Sequence, residues 1–158
     1  VDDRSADRLQ CALLRIAMHI RIINGPNLDM LGTREPDIYG PRTFADYLLE
    51  LRVVFTGVDL SVFQSNIEGE LIDALRAAND GCDGVVLNAA GYTHTSVALR
   101  DTIAWLKVPV VEVHISNIHA REEFRQVSLT AAKCAGCITG FGLDGYRLAI
   151  DHLLRRGG

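Results

Sequence analysis

Lysine is nearly missing from this chain of 158 residues, occurring only at Lys107 and Lys133. Arginine therefore supplies almost all the positive charge, and its planar fork grips carboxylates at two points. Charge of either sign is modest. A net charge of −4 gives no reason to expect nucleic acid or an anionic membrane as partner. An anionic ligand must then be held by local cations rather than by the field of the whole molecule. No apolar run approaches the length of a membrane span. The four cysteines are too few for a disulfide scaffold and fit a thiol protein of the cytosol. The histidines have no H-E-x-x-H or comparable spacing, so no metal is expected.

What is present is an ordinary globular composition, 48% apolar and 23% charged, which suits one domain with its own core. Residues 1–17 are set apart as an N-terminal extension, frayed or upstream of a natural start at Met18, with residues 18–158 as the single catalytic domain. Arg15 breaks the apolar stretch from Leu9 to Met18, and Asp2, Asp3 and Asp7 argue against a transit peptide.

Apolar runs alternate with helical patterns to the end of the chain. Ile20–Ile23, Val58–Phe63, Val85–Leu87, Val108–Val113 and Cys134–Thr139 read as strands. Thr43–Phe55, Glu68–Asn79, Thr95–Leu106 and Leu143–Leu154 read as helices, with Thr43 and Asp46 in capping positions. Five strands with helices between them predict an α/β three-layer sandwich with a parallel sheet. The second run alternates Val58, Leu60 and Val62 with Asp59 and Ser61, as an edge strand would. The flavodoxin-like order 2-1-3-4-5 follows.

Four of these strands end in polar clusters. They are Asn24-Gly25-Pro26-Asn27, Gln64-Ser65-Asn66, Asn88 leading to Tyr92-Thr93-His94, and His114-Ile115-Ser116-Asn117. One such cluster is an ordinary turn or cap. Four at the carboxyl end of one parallel sheet predict a common cleft. The Gly- and Pro-rich segment 32–41 carries Arg34 and Tyr39 and has the length of a lid. Arg121 and Arg125 lie four apart and would share a face if helical, most simply a solvated one.

Two motifs read as structural. Gly140-Phe141-Gly142-Leu143-Asp144-Gly145 fits G-x-G-x-x-G, but the chain ends before the strand and acidic residue a dinucleotide needs. Cys134 and Cys137 form C-x-x-C on a predicted strand, where positions three apart point to opposite faces.

Taken together, the strings Ile23–Leu28, Arg34-Glu35-Pro36 with Tyr39-Gly40, Gln64-Ser65-Asn66, Tyr92–Ser96, Glu112–Asn117, Arg121–Arg125 and Gly140–Tyr146 resemble the type II 3-dehydroquinate dehydratases. The resemblance implies dehydration of 3-dehydroquinate to 3-dehydroshikimate by anti elimination through an enolate, with no cofactor, in cytoplasmic trimers built into a dodecamer. It implies Tyr39 as base, His114 as acid, Arg34 beside the tyrosine and Asn27 at the enolate. It further implies Asn88, His94, Asp101, Ile115, Ser116 and Arg125 as substrate-binding residues.

The chemistry supports this division of labour. A free tyrosine has a pKa of about 10, and a nearby arginine favours the phenolate. Two positions depart from the family pattern: Ala90 stands where glycine is usual, and Gln126-Val127 where histidines are. The rival readings are a related hydro-lyase for another cyclic hydroxy-keto acid and a flavodoxin-like binding module without catalysis. The lysine Schiff base of the unrelated type I dehydratase has little support, because neither lysine ends a strand.

Overall fold

A computed structural model describes residues 18–33 and 41–157. Five parallel strands form one sheet: β1 (His19–Asn24), β2 (Asp59–Gln64), β3 (Gly84–Asn88), β4 (Val110–His114) and β5 (Gly136–Thr139). Their order is β2-β1-β3-β4-β5, as predicted, with β2 on an edge. Among the described residues α1 (Phe44–Val54), α2 (Glu68–Gly81) and α3 (Val97–Trp105) lie between strands, and α4 (Asp144–Arg156) follows β5.

The side-chain alternation of each strand divides the core in two. Ile20, Ile22, Val86, Val111 and Val113 pack on one face with Phe44 and Leu51 of α1 and Tyr146, Ile150 and Leu153 of α4. Ile23, Val85, Leu87 and Val110 pack on the other face with Leu71 and Leu75 of α2 and Leu99 and Ile103 of α3. Both faces of β3 are fully buried, which accounts for its unbroken apolar run.

Local chemistry sets the helix starts. Thr43 caps α1 by accepting from the Asp46 backbone N–H at 3.1 Å, and Ser96 caps α3 by accepting from Leu99 N–H at 2.8 Å. The predicted helix from Thr95 therefore begins two residues later, preceded by a short 3-10 turn over Ala90–His94. The glycine string after β5 serves a turn and close packing. Gly140 has φ +89°, and a Cβ on Gly145 would lie 3.0 Å from Val113 Cγ1.

Two expectations are corrected. Arg121 and Arg125 share no α-helical face, because the segment forms two separate 3-10 turns, Ile118–Ala120 and Glu123–Arg125, with Arg121 between them. The C-x-x-C does not straddle a strand. Cys134 precedes β5, and both thiols approach one carboxylate, Glu112, at 3.9 and 4.0 Å. No helix among the described residues is long and apolar enough to cross a membrane. The extension 1–17, Arg34, Tyr39 and most of the predicted lid lie outside the described residues.

Candidate active site

The carboxyl ends of β1, β3 and β4 open on a cleft of about 450 Å³. This is within the size range of small-molecule sites. Asn27, Asn88, His94, His114, the Ile115-Ser116 pair and Arg125 all line it. Three of the four predicted polar clusters, at the ends of β1, β3 and β4, thus converge, whereas Gln64-Ser65-Asn66 after β2 does not line the cleft. Asp101 does not join them. It sits exposed on α3, paired with Arg100 at 3.2 Å.

His114 is the last residue of β4 and is buried. Its Nε2 lies 2.5 Å from Oε1 of Glu112, two residues back on the same face of the strand. Glu112 is fully buried. Thr93 and Ser128 donate to its Oε1 at 2.8 and 2.7 Å, and Thr130 donates to Oε2 at 2.5 Å. Burying a carboxylate costs several kcal/mol, on the order of the worth of those charge-assisted hydrogen bonds. Burial pushes the Glu112 carboxyl up, but hydrogen bonds from His114, Thr130 and Ser128 outweigh it and hold the group below the usual glutamate value. An ionised carboxylate only accepts. His114 Nε2 therefore carries a proton, and Nδ1 is the ring nitrogen left to a ligand.

His94 stacks beside His114, with ring centroids 6.3 Å apart and planes 22° from parallel. Its Nδ1 lies 2.8 Å from the carbonyl oxygen of Val127. A carbonyl cannot donate, so Nδ1 bears the proton and Nε2 is free to meet a ligand. Val127 occupies a position where the resembling family has histidine, yet it acts here through its backbone. A backbone carbonyl makes this bond, so it does not depend on which side chain stands at position 127.

The Ala90 departure has a visible conformation. Ala90 adopts φ +51°, in the left-handed region, where a Cβ costs about 1–2 kcal/mol. Its N–H donates to Asn88 Oδ1 at 3.1 Å. The loop keeps the backbone that suits glycine although alanine occupies it. Asn27 also lies in the left-handed region, at φ 67°, which asparagine tolerates. Its N–H donates to Asn66 Oδ1 at 2.9 Å.

The far wall is cationic. Arg121 donates to Ser116 Oγ at 3.2 Å and pairs with Glu122 at 3.3 Å. Arg125 Nε reaches the same Glu122 oxygen at 3.4 Å. Glu122 thus holds two guanidiniums at the cleft.

Sequence reasoning gave no role to Thr93, Ser128 or Thr130, or to Asn24 and Tyr146 behind Asn88. The hydroxyl residues carried no signal, because their common target lies a strand away. Among the described residues, Glu112, His114 and Cys137 bring ligand atoms within 4.8 Å of one another. A metal there would have to displace three hydroxyl donors from Glu112. It would also have to deprotonate Cys137, whose thiol burial and Glu112 push up to about 11.

A doubly wound sheet with a buried histidine–carboxylate pair opening on a polar cleft defines an α/β enzyme equipped for proton transfer. The family model described as Dehydroquinase class II matches residues 18–154. The chain is 54% identical over 140 residues to the 3-dehydroquinate dehydratase of Jannaschia sp. (strain CCS1), covering 87% of this chain and 95% of that one. It is 51% identical to the 3-dehydroquinate dehydratase of Bacillus pumilus (strain SAFR-032), covering 89% and 97%. The crystal structure of type II dehydroquinase from Propionibacterium acnes superimposes with a TM-score of 0.82 at 42% identity, covering 87% and 96%. This chain belongs to the class II dehydroquinase family, and with it to the carbon–oxygen lyases.

Proposed function

We propose that this protein dehydrates 3-dehydroquinate to 3-dehydroshikimate by anti elimination through an enolate. The observation that carries the reading is the Glu112–His114 pair, buried behind the cleft with one imidazole nitrogen left to a ligand. Removing a proton beside a ketone requires a base and a partner for the enolate oxygen. Tyr39 is the base in this scheme, with Arg34 beside it to favour the phenolate. Lowering a tyrosine pKa by about two units takes roughly 3 kcal/mol of differential interaction, within reach of a water-shielded arginine. Asn27 serves the enolate oxygen.

His114, protonated on both ring nitrogens beside the Glu112 carboxylate, gives its Nδ1 proton to the departing hydroxyl and keeps the Nε2 proton on Glu112. The Ile115 and Ser116 N–H groups and the cationic wall, Arg125 included, take the substrate carboxylate. Asn88 and His94 take ring oxygens. Every step is proton transfer or hydrogen bonding, so the scheme uses no cofactor.

Asp101 lies outside the cleft of its own chain. Its assigned substrate contact therefore requires a neighbouring copy, in keeping with the trimers and dodecamer expected by resemblance. The cytoplasm is the proposed compartment, where Cys82, Cys134 and Cys137 stay reduced. The product is a conjugated enone, so an ultraviolet absorbance rise on adding 3-dehydroquinate tests the reaction directly. No rise from a folded protein that binds the compound contradicts it.

A further inference from the structure

We propose that Asn24 and Tyr146 are positioning residues that fix which way the Asn88 amide faces the substrate. The inference rests on the reading of Asn88 as a substrate contact. Asn24 and Asn88 end β1 and β3 and are register partners in the sheet. Tyr146, from α4, is fully buried beneath them. Its ring is wedged edge-on against Phe44 at 5.1 Å and Tyr47 at 6.4 Å. Its hydroxyl lies 2.9 Å from Asn88 Nδ2 and 2.8 Å from Asn24 Oδ1.

The polarity of this relay follows from its one end that cannot turn. The Ala90 backbone N–H can only donate, and it donates to Asn88 Oδ1 at 3.1 Å. The other side of the amide, Nδ2, must then face Tyr146 and donate to the phenol oxygen. With that oxygen accepting, its own proton goes on to Asn24 Oδ1. The three side chains Asn24, Asn88 and Tyr146 are buried, and each hydrogen bond requires the next, because an unmade one costs the full desolvation of the polar group.

Asn88 is left with one free Nδ2 hydrogen and a carbonyl oxygen already engaged by backbone. It therefore offers the cleft a donor. The substrate group it receives is an oxygen acceptor, a carboxylate or the lone pair of a hydroxyl. Removing Asn24's acceptor unties the phenol proton, which is then free to donate back to Asn88 and favour the flipped amide. The Ala90 N–H sets the direction of the relay, Tyr146 carries it, and Asn24 holds it by taking the phenol proton.

The test is a double-mutant cycle on the full chain, read in KM and kcat, with thermal melting as the fold check. Tyr146→Phe and Asn24→Leu should each raise KM about tenfold, the effect of one lost buried hydrogen bond, with kcat nearly unchanged. In an Asn88→Ala background, either substitution should change KM by less than about twofold, because the residue through which it acts is gone. A purely structural role would lower the melting temperature and leave the KM of the folded fraction unmoved. Unchanged KM in both single variants overturns the relay, as do effects that multiply fully with Asn88→Ala. Should Tyr146→Phe not fold, Asn24→Leu closes the same cycle. An Asn88→Ala variant with wild-type KM and kcat would instead sink the reading of Asn88 as a substrate contact, a failure distinct from that of the relay.

Discussion

His114 Nε2 lies 2.5 Å from Glu112 Oε1, and neither side chain is open to solvent beyond a few per cent. This contact decides which ring nitrogen can meet a ligand. Glutamine at position 112 keeps the shape but lacks the negative charge that balances a ring protonated on both nitrogens, the form that can give a proton from Nδ1. Glu112→Gln should lower kcat by about 100-fold or more, the scale of general acid catalysis, with KM within about threefold. Steady-state kinetics check it. An equal loss in KM alone would make Glu112 a binding element instead.

The same carboxylate bears on acid stability. Its folded pKa is depressed below the reference value of 4.5, despite burial, by hydrogen bonds from His114, Thr130 and Ser128. A depressed carboxylate contributes stability above its unfolded pKa, and that contribution is lost as pH falls through the folded value. Wild-type melting temperature should fall as pH drops below about 4.5, the unfolded reference, and the Glu112→Gln variant should fall less steeply. Parallel melting curves against pH would contradict this.

Ala90 holds φ +51° at the mouth of the cleft. Replacing it with glycine removes the Cβ strain but adds freedom to the unfolded chain, worth about 0.4–1 kcal/mol. Ala90→Gly should therefore stabilise the protein by up to about 1 kcal/mol, or roughly 2–4 °C in melting temperature. An unchanged or lower melting temperature would mean that the Cβ is tolerated at no net cost.

The doubly wound sheet was legible because its signals are local and repeated. Strand runs, helix stripes and polar strand ends recur in one order, and a parallel sheet must bring those ends together. The place of His114, Asn88 and the Ile115-Ser116 pair at the cleft followed from that rule, while their roles came from the family resemblance. The rest depended on contacts between distant segments. Thr93, Ser128 and Thr130 look like ordinary turn residues until β4 brings Glu112 among them. Tyr146 lies 122 positions from Asn24 in the chain, and no periodicity links them. The Arg121–Arg125 spacing misled because i,i+4 has helical meaning only in a helix, and this segment is two 3-10 turns.

The family match begins at residue 18, as does the described part of the chain. A chain lacking residues 1–17, which precede the family match, should keep its melting temperature and its turnover within about twofold. A large loss of activity in the truncated protein would give those residues a function that the scheme lacks.

The central claim is that Tyr39 as base and His114 as acid expel water from 3-dehydroquinate. The most direct measurement is the absorbance rise of the enone product, followed for wild type, Tyr39→Phe and His114→Asn side by side, with binding of 3-dehydroquinate measured calorimetrically for each. The account predicts a rise for wild type and loss of about 100-fold or more in each variant, with binding retained. Undiminished turnover in either variant, or loss of binding in place of turnover, would contradict the assigned roles.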